Sequence, residues 1–509
     1  MDLQKRLDYV AEVKKKISDV PEKNKKSGKN NAIARMNVLF DEGTFVETNA
    51  FIKKRPNEFP EFDGKNGKSN EYEGIVGGYG AISGRLVFAY SQDFSKMSGA
   101  LSEAGIKKIL AVYAMAEKNG APVISIFDSS GVVVTEGIDA LAGYGAIINK
   151  ASVLSGVVPQ YSVICGTCAG GMAVIASVSD FIFMEKNNGK IFISSPFVIK
   201  NNMEHADANI GNADFAAKNG QCAKVLENED ELFASLRNLI EYIPSNNLDE
   251  NVYLDIEDDA NRLNGNLADL VMTDEYDIKQ VITEIADNNK FFEVYEEYSD
   301  NIVCGFISIA NTAVGIVANQ PKGYNGTITP SACDKAARFI YVCDNFNIPV
   351  LTLVDTDGMA VSDRAEKARF NLYAAKLASA YASASVPKIT LNIGKAYGTA
   401  YTIMGSKGLG IDIALAYPTA QISILAPETA VEVIYGEDIM KNPEPAEYRA
   451  KLLEMWEIEK SSPVEAASSG AIDNIIEPSQ TRQMLASAVY LLQSKRDIRT
   501  PKKYNKLPF

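Results

Sequence analysis

VPQYSVICGTCAGG at residues 158–171 and VPKITLNIGKAYGT at residues 386–399 are two versions of one pattern. Each begins with Val-Pro, continues through an apolar stretch and ends in small residues that include glycine. Each stretch indicates a buried strand, and the strands that precede the two stretches, PVISIFD at 122–128 and PVLTLVD at 349–355, do not alternate with polar residues, which is typical of a parallel sheet buried on both faces. The pattern therefore predicts two buried strands, each followed by a glycine-containing turn.

The correspondence extends upstream of both copies at one constant spacing. The pairs that are 227 positions apart are Gly78 and Gly305, Lys108 and Lys335, Pro122 and Pro349, Asp128 and Asp355, and Gly131 and Gly358. Further upstream, DEGTFVE at 41–47 resembles DNNKFFE at 287–293. A constant spacing of this kind indicates an internal duplication. We expect two related domains, 1–250 and 251–509, with the acidic region from about 244 to 300 as a linker.

The order of predicted elements is the same in both halves. A pair of strands comes first, then a helix, a short apolar strand, a second helix, another buried strand, a glycine turn and a further helix. In the second half, the second helix is predicted as one long element over 364–384. Strands that alternate with helices indicate parallel βαβ units, so the fold class is α/β.

Composition excludes several classes of protein. The chain has 509 residues, of which 46% are hydrophobic, and a net charge of −14 without a long basic patch, so we expect no nucleic-acid partner. No stretch approaches eighteen consecutive apolar residues, so we expect no membrane span. The N-terminal segment has the pattern of a charged amphipathic helix without the apolar core of a signal peptide, and we expect a cytoplasmic protein.

The cysteine pattern does not predict a metal site. Six cysteines in a chain of this length are too sparse for a disulfide framework. Cys165 and Cys168 form a C-x-x-C, but no second ligand pair accompanies them. We interpret these two cysteines as small residues that flank a tight turn, and we expect no metal.

Two turns in each half carry the chemistry that the sequence predicts. They are DSSG at 128–131 and CAGG at 168–171, then DTDG at 355–358 and AYGT at 396–399. A small residue at the end of a strand lets a ligand approach the backbone closely. A helix that begins there has free N–H groups and the positive end of its dipole at the same place. Two such N–H groups that converge on one oxygen form an oxyanion hole, so each half can supply one hole.

Side-chain catalysis has little support in the sequence. His205 is the only histidine, and no G-x-S-x-G elbow surrounds Ser129 or Ser130, which we interpret as helix caps. A carboxyl transfer between two enolate-like species needs two oxyanion holes and no side-chain nucleophile. This reaction fits the two pairs of turns best.

Short segments along almost the whole chain carry a family resemblance. They are ARMNVLFDEGTFVE (34–47), SQDF (91–94), EGIDALAGYG (136–145), CAGG (168–171), SDFIFM (179–184), IVANQP (316–321), DKAARF (334–339), VPKIT (386–390), KAYGTAY (395–401), MGSKGLG (404–410) and IIEPSQTRQMLASAVYLLQSKR (475–496). In this order they resemble the carboxyltransferase (β) subunits of biotin-dependent acyl-CoA carboxylases. That family includes the α subunits of methylmalonyl-CoA and glutaconyl-CoA decarboxylases.

The resemblance implies two tandem crotonase-like (ClpP/crotonase) domains and a homo-oligomer, a hexamer built as a trimer of dimers. It implies that acyl-CoA binds the N-terminal domain and carboxylated biotin the C-terminal domain. Carried over position by position, it assigns the catalytic backbone groups to Gly131, Val132, Ala169, Gly170, Gly358, Met359, Gly398, Thr399 and Ala400. It assigns coenzyme A contacts to Ser98, Gly99, Ala100 and Leu101, a place in the acyl pocket to Thr402, and a further cofactor contact to Tyr397.

The resemblance also implies partners. The chain has no Met-Lys-Met for biotin attachment and no ATP-binding glycine loop, so biotin is expected on a separate carrier protein. A biotin carboxylase or a membrane decarboxylase subunit is expected as a further partner. We expect a substrate of the propionyl-CoA or methylmalonyl-CoA type. The sequence leaves open whether the carboxyl group is added to the acyl-CoA or removed from it.

The chain departs from the family pattern at several positions, and these departures keep two alternatives open. Ser130 stands where the family has glycine, Val133 where it has arginine, and a second family arginine is not found in 370–376. The family's histidine is absent from 209–220. The first alternative is a diverged homologue that acts as a scaffold or regulatory subunit. The second is a single-site crotonase-type hydratase or hydrolase, for which Glu136 and Asp139 would be the candidate acids.

Overall fold

The computed structural model describes residues 2–18, 31–55, 72–202, 205, 207–273 and 275–497. The chain divides into two compact units, Met1–Asp249 and Glu250–Phe509. Each unit has its own sheet and its own apolar core, so the two are described separately.

The first unit contains eight of the helices and nine of the strands in the described part of the chain. The helices, α1 to α8, are Leu3–Ser18, Ala32–Leu39, Glu103–Asn119, Gly137–Leu154, Gly171–Ser177, Pro196–Asn202, Ala213–Lys218 and Glu229–Tyr242. The strands, β1 to β9, are Val46–Thr48, Ile75–Ile82, Arg85–Gln92, Val123–Phe127, Gln160–Ile164, Thr167–Ala169, Phe181–Glu185, Lys190–Phe192 and Lys224–Leu226.

The second unit repeats this order with additional helices. The helices, α9 to α18, are Leu267–Val271, Ile278–Ile285, Pro330–Asn345, Asp363–Lys367, Phe370–Ser383, Gly398–Ile403, Pro427–Lys441, Pro445–Lys460, Pro463–Ser468 and Thr481–Leu492. The strands, β10 to β17, are Phe292–Val294, Ile302–Ile309, Thr312–Asn319, Val350–Thr356, Lys388–Tyr397, Ile413–Ala416, Gln421–Ser423 and Asn474–Ile475.

The two main sheets have the same topology. The first has the order β1-β2-β3-β4-β5-β7-β9, and the second has the order β10-β11-β12-β13-β14-β15-β17. In both, the first three strands are antiparallel and the later ones are parallel. The small pair β6–β8 corresponds to the pairing of β14 with β16. The predicted α/β class and the internal duplication are confirmed.

Local sequence explains why the repeated elements form where they do. Strand β4, VISIF, is buried at every position, as its continuous apolar sequence predicts. Helices α3 and α11 begin after Ser102 and Thr329, whose side-chain oxygens accept the N–H groups of residues three positions later. The helices then cover one face of the sheet with their apolar sides.

Two glycines of the repeat are required because neighbouring strands approach too closely for a side chain. A methyl group on Gly78 would lie 2.0 Å from the carbonyl oxygen of Val46, and one on Gly305 would lie 2.3 Å from that of Phe292. The shared spacing of these glycines therefore reflects one shared packing requirement, where the edge strand pairs with the second strand of each sheet.

Two sequence predictions about the second half are wrong. The region from about 244 to 300 is not a linker, because α9, α10 and β10 belong to the second unit and side chains such as Leu267 and Ile282 are fully buried in its core. The predicted long helix over 364–384 is two helices, α12 and α13, interrupted at Arg369, which has a left-handed backbone with φ of 61°.

In the part of the chain that the structure describes, no helix is both long and apolar enough to cross a membrane.

Two aspartates that bind the start of the corresponding strand in each unit lead to a prediction about stability. Asp180 accepts the N–H of Gln160 at 2.8 Å, and Asp412 accepts the N–H of Lys388 at 2.8 Å. Of these two aspartates, only Asp412 forms an ion pair within the described residues, because Lys495 Nζ lies 2.8 Å from its carboxylate. Burial raises the pKa of Asp180 to about 7.

We expect Asp180→Asn to stabilise the protein at pH 8. Because the folded state holds the Asp180 proton more tightly than the unfolded state, the free energy of unfolding of the parent falls as pH rises from about 4 to 7. Asparagine still accepts the Gln160 N–H without this penalty, so the gain at pH 8 is roughly 1–3 kcal/mol and disappears near pH 4. Asp412→Asn is the matched control and should destabilise by about 1 kcal/mol. Urea unfolding at both pH values measures the effect, and a loss of stability for Asp180→Asn at pH 8 would contradict it.

Candidate active site

The first turn of the N-terminal unit follows β4 and is held by a short parallel bridge. Leu101 donates its N–H to the Gly131 carbonyl at 2.8 Å and accepts the Val133 N–H at 2.9 Å. Since polar groups alternate in direction along an extended segment, the N–H of Val132 points away from Leu101. It forms no hydrogen bond within the described residues. The turn thus presents one free backbone donor.

The second turn of this unit joins β6 to α5. Gly170 has φ of 59°, and its N–H donates to the Phe192 carbonyl at 3.0 Å. The N–H of Gly171 belongs to the first turn of α5, where backbone donors have no acceptor within the helix. Ser129 donates its N–H to the Thr167 carbonyl at 2.8 Å, which ties the two turns together.

The C-terminal unit repeats the arrangement in detail. Ile328 donates to the Gly358 carbonyl at 2.9 Å and accepts the Ala360 N–H at 2.8 Å, so the N–H of Met359 points away from this bridge. No hydrogen bond of the Met359 N–H is found in the described part of the chain. The second turn ends at Gly398, with φ of 56°, and α14 begins there.

The first helical N–H groups of α14 are those of Gly398, Thr399 and Ala400, three of the predicted catalytic positions. The two segments that begin with Val158 and Val386 are 228 positions apart, and in their alignment Thr399 corresponds to Gly171. The sequence prediction named Ala169 and Gly170 in the first unit and missed Gly171. Applying this alignment to Thr399 would have identified it.

Gly131 and Gly358 shape the turns and are not free donors. Their φ angles are 124° and 128°, a region that other residues rarely adopt. The Gly131 N–H donates to Ser129 Oγ at 3.1 Å, and the Gly358 N–H donates to Thr356 Oγ1 at 3.1 Å. The prediction that Ser129 caps a helix is therefore wrong, because its hydroxyl closes the turn itself.

Space is open in front of these turns. A methyl group built on Gly131, Gly170 or Gly358 would meet no heavy atom within 4 Å. On Gly398 it would meet only the Ile424 carbonyl, at 3.0 Å. A ligand atom can therefore reach the backbone at each turn.

The segment predicted to contact coenzyme A packs directly against the first turn. Ser98 and Gly99 have φ of 54° and 67°, and Ser98 accepts the Ser130 N–H at 2.9 Å. A methyl group on Gly99 would lie 2.0 Å from the Asp128 carbonyl oxygen. Ala100 follows, buried, and leads into the bridge at Leu101. The structure thus brings 98–101 and 128–133 together.

The two predicted contact residues of the second unit lie next to its second turn. The Tyr397 hydroxyl donates to Gln421, and burial raises the pKa of Tyr397 above its ordinary value. Thr402 is exposed and its hydroxyl donates to the Gly398 carbonyl at 3.3 Å. Both side chains stand beside the start of α14.

Sequence reasoning missed the buried groups that support the turns. Asp128 is fully buried and binds the guanidinium of Arg35 at 3.0 Å. Its counterpart Asp355 accepts the Tyr276 hydroxyl at 2.8 Å. The constant spacing of the two aspartates was visible in the sequence, but their partners come from regions outside the repeated core.

The candidate acids of the hydratase alternative are engaged elsewhere. Glu136 accepts the Glu103 N–H at 2.6 Å, at the start of α3, and Asp139 pairs with Arg55 at 3.0 Å. Cys165 and Cys168 are buried free thiols, and burial raises the pKa of both. Within the described residues, no group of three or more His, Cys, Asp or Glu side chains is arranged to hold a metal ion.

Comparison with known proteins decides the family. The family described as Carboxyl transferase domain matches residues 23–507. The chain belongs to this family. It is 40% identical over 494 residues to the methylmalonyl-CoA decarboxylase α subunit of Propionigenium modestum, covering 96% of this chain and 95% of that protein. It is 37% identical to the propionyl-CoA carboxylase β chain of Roseobacter denitrificans, covering 94% of each.

A solved structure confirms the fold of this carboxyl transferase. The transcarboxylase 12S crystal structure, a hexamer with methylmalonyl-coenzyme A and methylmalonic acid bound, superposes with a TM-score of 0.95 at 34% identity, covering 100% of this chain and 99% of that one. The predicted family and the predicted crotonase-like fold are confirmed. The chain is an acyl-CoA carboxyltransferase.

Proposed function

We propose that the chain moves a carboxyl group between biotin on a separate carrier protein and an acyl-CoA of the propionyl or methylmalonyl type. The observation that carries the proposal is the duplicated turn geometry: each unit presents one free N–H on its first turn and a helix N-terminus on its second. Three relatives or neighbours with high coverage bear names that refer to methylmalonyl-CoA or propionyl-CoA, which supports the acyl group.

The N-terminal turns provide the hole for the acyl-CoA. The N–H groups of Val132 and Gly171 stabilise the negative charge that develops on the thioester oxygen as the α-carbon gains or loses the carboxyl group. Segment 98–101 lies beside this hole and holds coenzyme A. A methyl group on Gly171 would lie 2.8 Å from the ring of Tyr144, so the helix start cannot accept a larger residue without a shift.

The C-terminal turns provide the hole for biotin. Biotin, when bound, supplies a ureido nitrogen that carries the carboxyl group. The N–H groups of Met359 and Thr399 stabilise negative charge on the ureido oxygen as the carboxyl group leaves or returns. A methyl group on Gly358 would meet no heavy atom within 4 Å, so the biotin ring can approach the backbone there, and Tyr397 and Thr402 lie beside the second turn of this hole.

The departures from the family pattern concern side chains more than these donors. Val133 replaces an arginine, but its N–H still forms the bridge to Leu101 that aims Val132. Arg369 directly precedes α13, the helix that holds Lys376, and is an available cation near the position of the second family arginine. Both backbone donors of each proposed hole are retained, which favours an active subunit over a scaffold.

The proposal includes the assembly and its partners. We propose a hexamer, since the structurally similar transcarboxylase 12S is one. A biotin carrier protein and either a biotin carboxylase or a membrane decarboxylase subunit complete the system, and the identity of that subunit sets the direction of transfer. No metal takes part.

The test is carboxyl transfer by the purified chain to free biotin from malonyl-, methylmalonyl- and glutaconyl-CoA. We expect methylmalonyl-CoA to have the highest kcat/KM of the three. Hydration or thioester cleavage without biotin would support the crotonase-type alternative. Binding of CoA esters without any transfer would point to an acyl group outside this panel, and the absence of both binding and transfer would support the scaffold alternative.

A further inference from the structure

Asp128, which is buried, and Asp355, which is half-buried, occupy one structural position in each unit, between the two turns of a proposed hole. A methyl group on Gly166 would lie 1.9 Å from the Asp128 carboxylate, and one on Gly394 would lie 2.5 Å from that of Asp355. Each aspartate begins the first turn, and each of these glycines lies just ahead of the second. Each carboxylate therefore fills the space that sets the distance between the turns.

In both units, a side-chain amide also holds the backbone next to the aspartate. Gln92 donates to the Gly99 carbonyl at 3.2 Å and accepts the Asp128 N–H at 3.3 Å. Asn319 makes the same two bonds, to the Gly326 carbonyl at 3.2 Å and from the Asp355 N–H at 3.3 Å. The backbone around both aspartates is thus held identically.

The partner of the carboxylate is where the two units differ. Asp128 binds Arg35, which also binds Glu229 at 2.7 Å. The carboxylate in the N-terminal unit is therefore held by a buried cation. Asp355 accepts the Tyr276 hydroxyl at 2.8 Å and the Lys395 N–H at 2.9 Å. Lys395 lies in the second turn segment, so the carboxylate of Asp355 bonds directly to the backbone that leads to Thr399.

We propose that Tyr276 and Asp355 are positioning residues for the biotin-side hole, as Arg35 and Asp128 are for the acyl-CoA side. The Tyr276 hydroxyl fixes the carboxylate, and the carboxylate fixes the second turn relative to the first. Each pair acts on its own hole only. This inference rests on the proposed function, because it takes the C-terminal hole as the biotin side.

The test variant is Tyr276→Phe, which removes one hydroxyl and keeps the buried ring. We expect kcat/KM for free biotin to fall about tenfold, because small displacements of catalytic groups reduce rates steeply. The Kd of the acyl-CoA should stay within about twofold of the parent, because the N-terminal hole is unchanged. Tyr381→Phe is the matched control: it removes another buried hydroxyl of the same unit, bonded to Thr352 at 2.8 Å, and should leave both values unchanged.

A second pair of variants separates positioning from general stability. Asp355→Asn can accept the Lys395 N–H and donate to the Tyr276 hydroxyl oxygen, so it should keep kcat/KM for biotin within about threefold of the parent. Asp355→Ala loses both bonds and should lower it at least about tenfold. Equal losses in biotin turnover and acyl-CoA affinity, or an unchanged Tyr276→Phe enzyme, would overturn the inference. A parent chain that transfers no carboxyl group to biotin would instead contradict the proposed function.

Discussion

Gly131→Ala should lower kcat for carboxyl transfer about 100-fold, and Gly358→Ala should have an effect of the same size. A methyl group has open space at both positions, so no clash is involved. The backbone is the problem, because φ angles of 124° and 128° are strained for alanine and the turn must relax. Relaxation turns the N–H of Val132 or Met359 away from the developing negative charge. Removal of one oxyanion donor typically costs a factor of about 10² to 10³.

Gly84→Ala is the control for this prediction. Gly84 also has a positive φ, 74°, and open space around a built methyl group, but it lies in the turn between β2 and β3. It should lower stability by about 1 kcal/mol and leave kcat unchanged. Steady-state kinetics and thermal unfolding of the three variants give the comparison. Folded Gly131→Ala or Gly358→Ala enzyme with at least a third of the parent kcat would show that these turns do not supply the donors.

Arg35→Met should lower the free energy of unfolding of the protein by about 3–5 kcal/mol. The side chains of Arg35 and Asp128 are fully buried, and Glu229 is 11% exposed. Removing Arg35 takes its guanidinium away from the carboxylates of Asp128 and Glu229, which lie in a poorly solvated place. The flexible apolar side chain of methionine fills the volume, so the effect reports on charge more than on a cavity.

An exposed ion pair provides the comparison for Arg35. Lys367 lies 2.5 Å from Asp363, and both side chains are at least 75% exposed. Lys367→Met should change stability by less than about 1 kcal/mol. Urea unfolding at pH 7 measures both variants. A similar small change for Arg35→Met would mean that the buried cluster does not hold the turn.

The repeat made the fold predictable from the sequence. Gly78 and Gly305 are found at the same spacing as the rest of the repeat because two paired strands approach closely at the same place in each sheet. The repeated sequence pattern therefore reflects a repeated packing contact. The buried strands before the first turn of each half were equally clear, since their apolar runs, VISIF and VLTLV, do not alternate with polar residues in a regular pattern. Where the halves diverge, prediction failed. The acidic stretch before β10 hides an amphipathic helix, Ile278–Ile285, whose buried face has only four residues.

The backbone turns of the proposed site could be predicted from the sequence, but the buried side chains that hold these turns could not. Glycines and helix starts mark the turns locally, so Gly131, Gly358 and Thr399 could be named from short motifs. The alignment of the two repeated segments could have pointed to Gly171, but the structure adds that the Gly170 N–H is already used in its bond to Phe192. Arg35 lies 194 positions from Glu229 along the chain, and no local pattern reports such a contact.

The central claim is the proposal that the protein transfers a carboxyl group between an acyl-CoA and biotin, with one oxyanion hole for each. Its most direct measurement incubates the purified chain with free biotin and methylmalonyl-CoA that carries an isotopic label in its free carboxyl group. We expect label to appear on biotin in equal amount to the propionyl-CoA formed, and both products to form about 100-fold more slowly when Gly131→Ala or Gly358→Ala replaces the parent. Propionyl-CoA formation at the same rate with and without biotin, or label that never reaches biotin, would contradict the account.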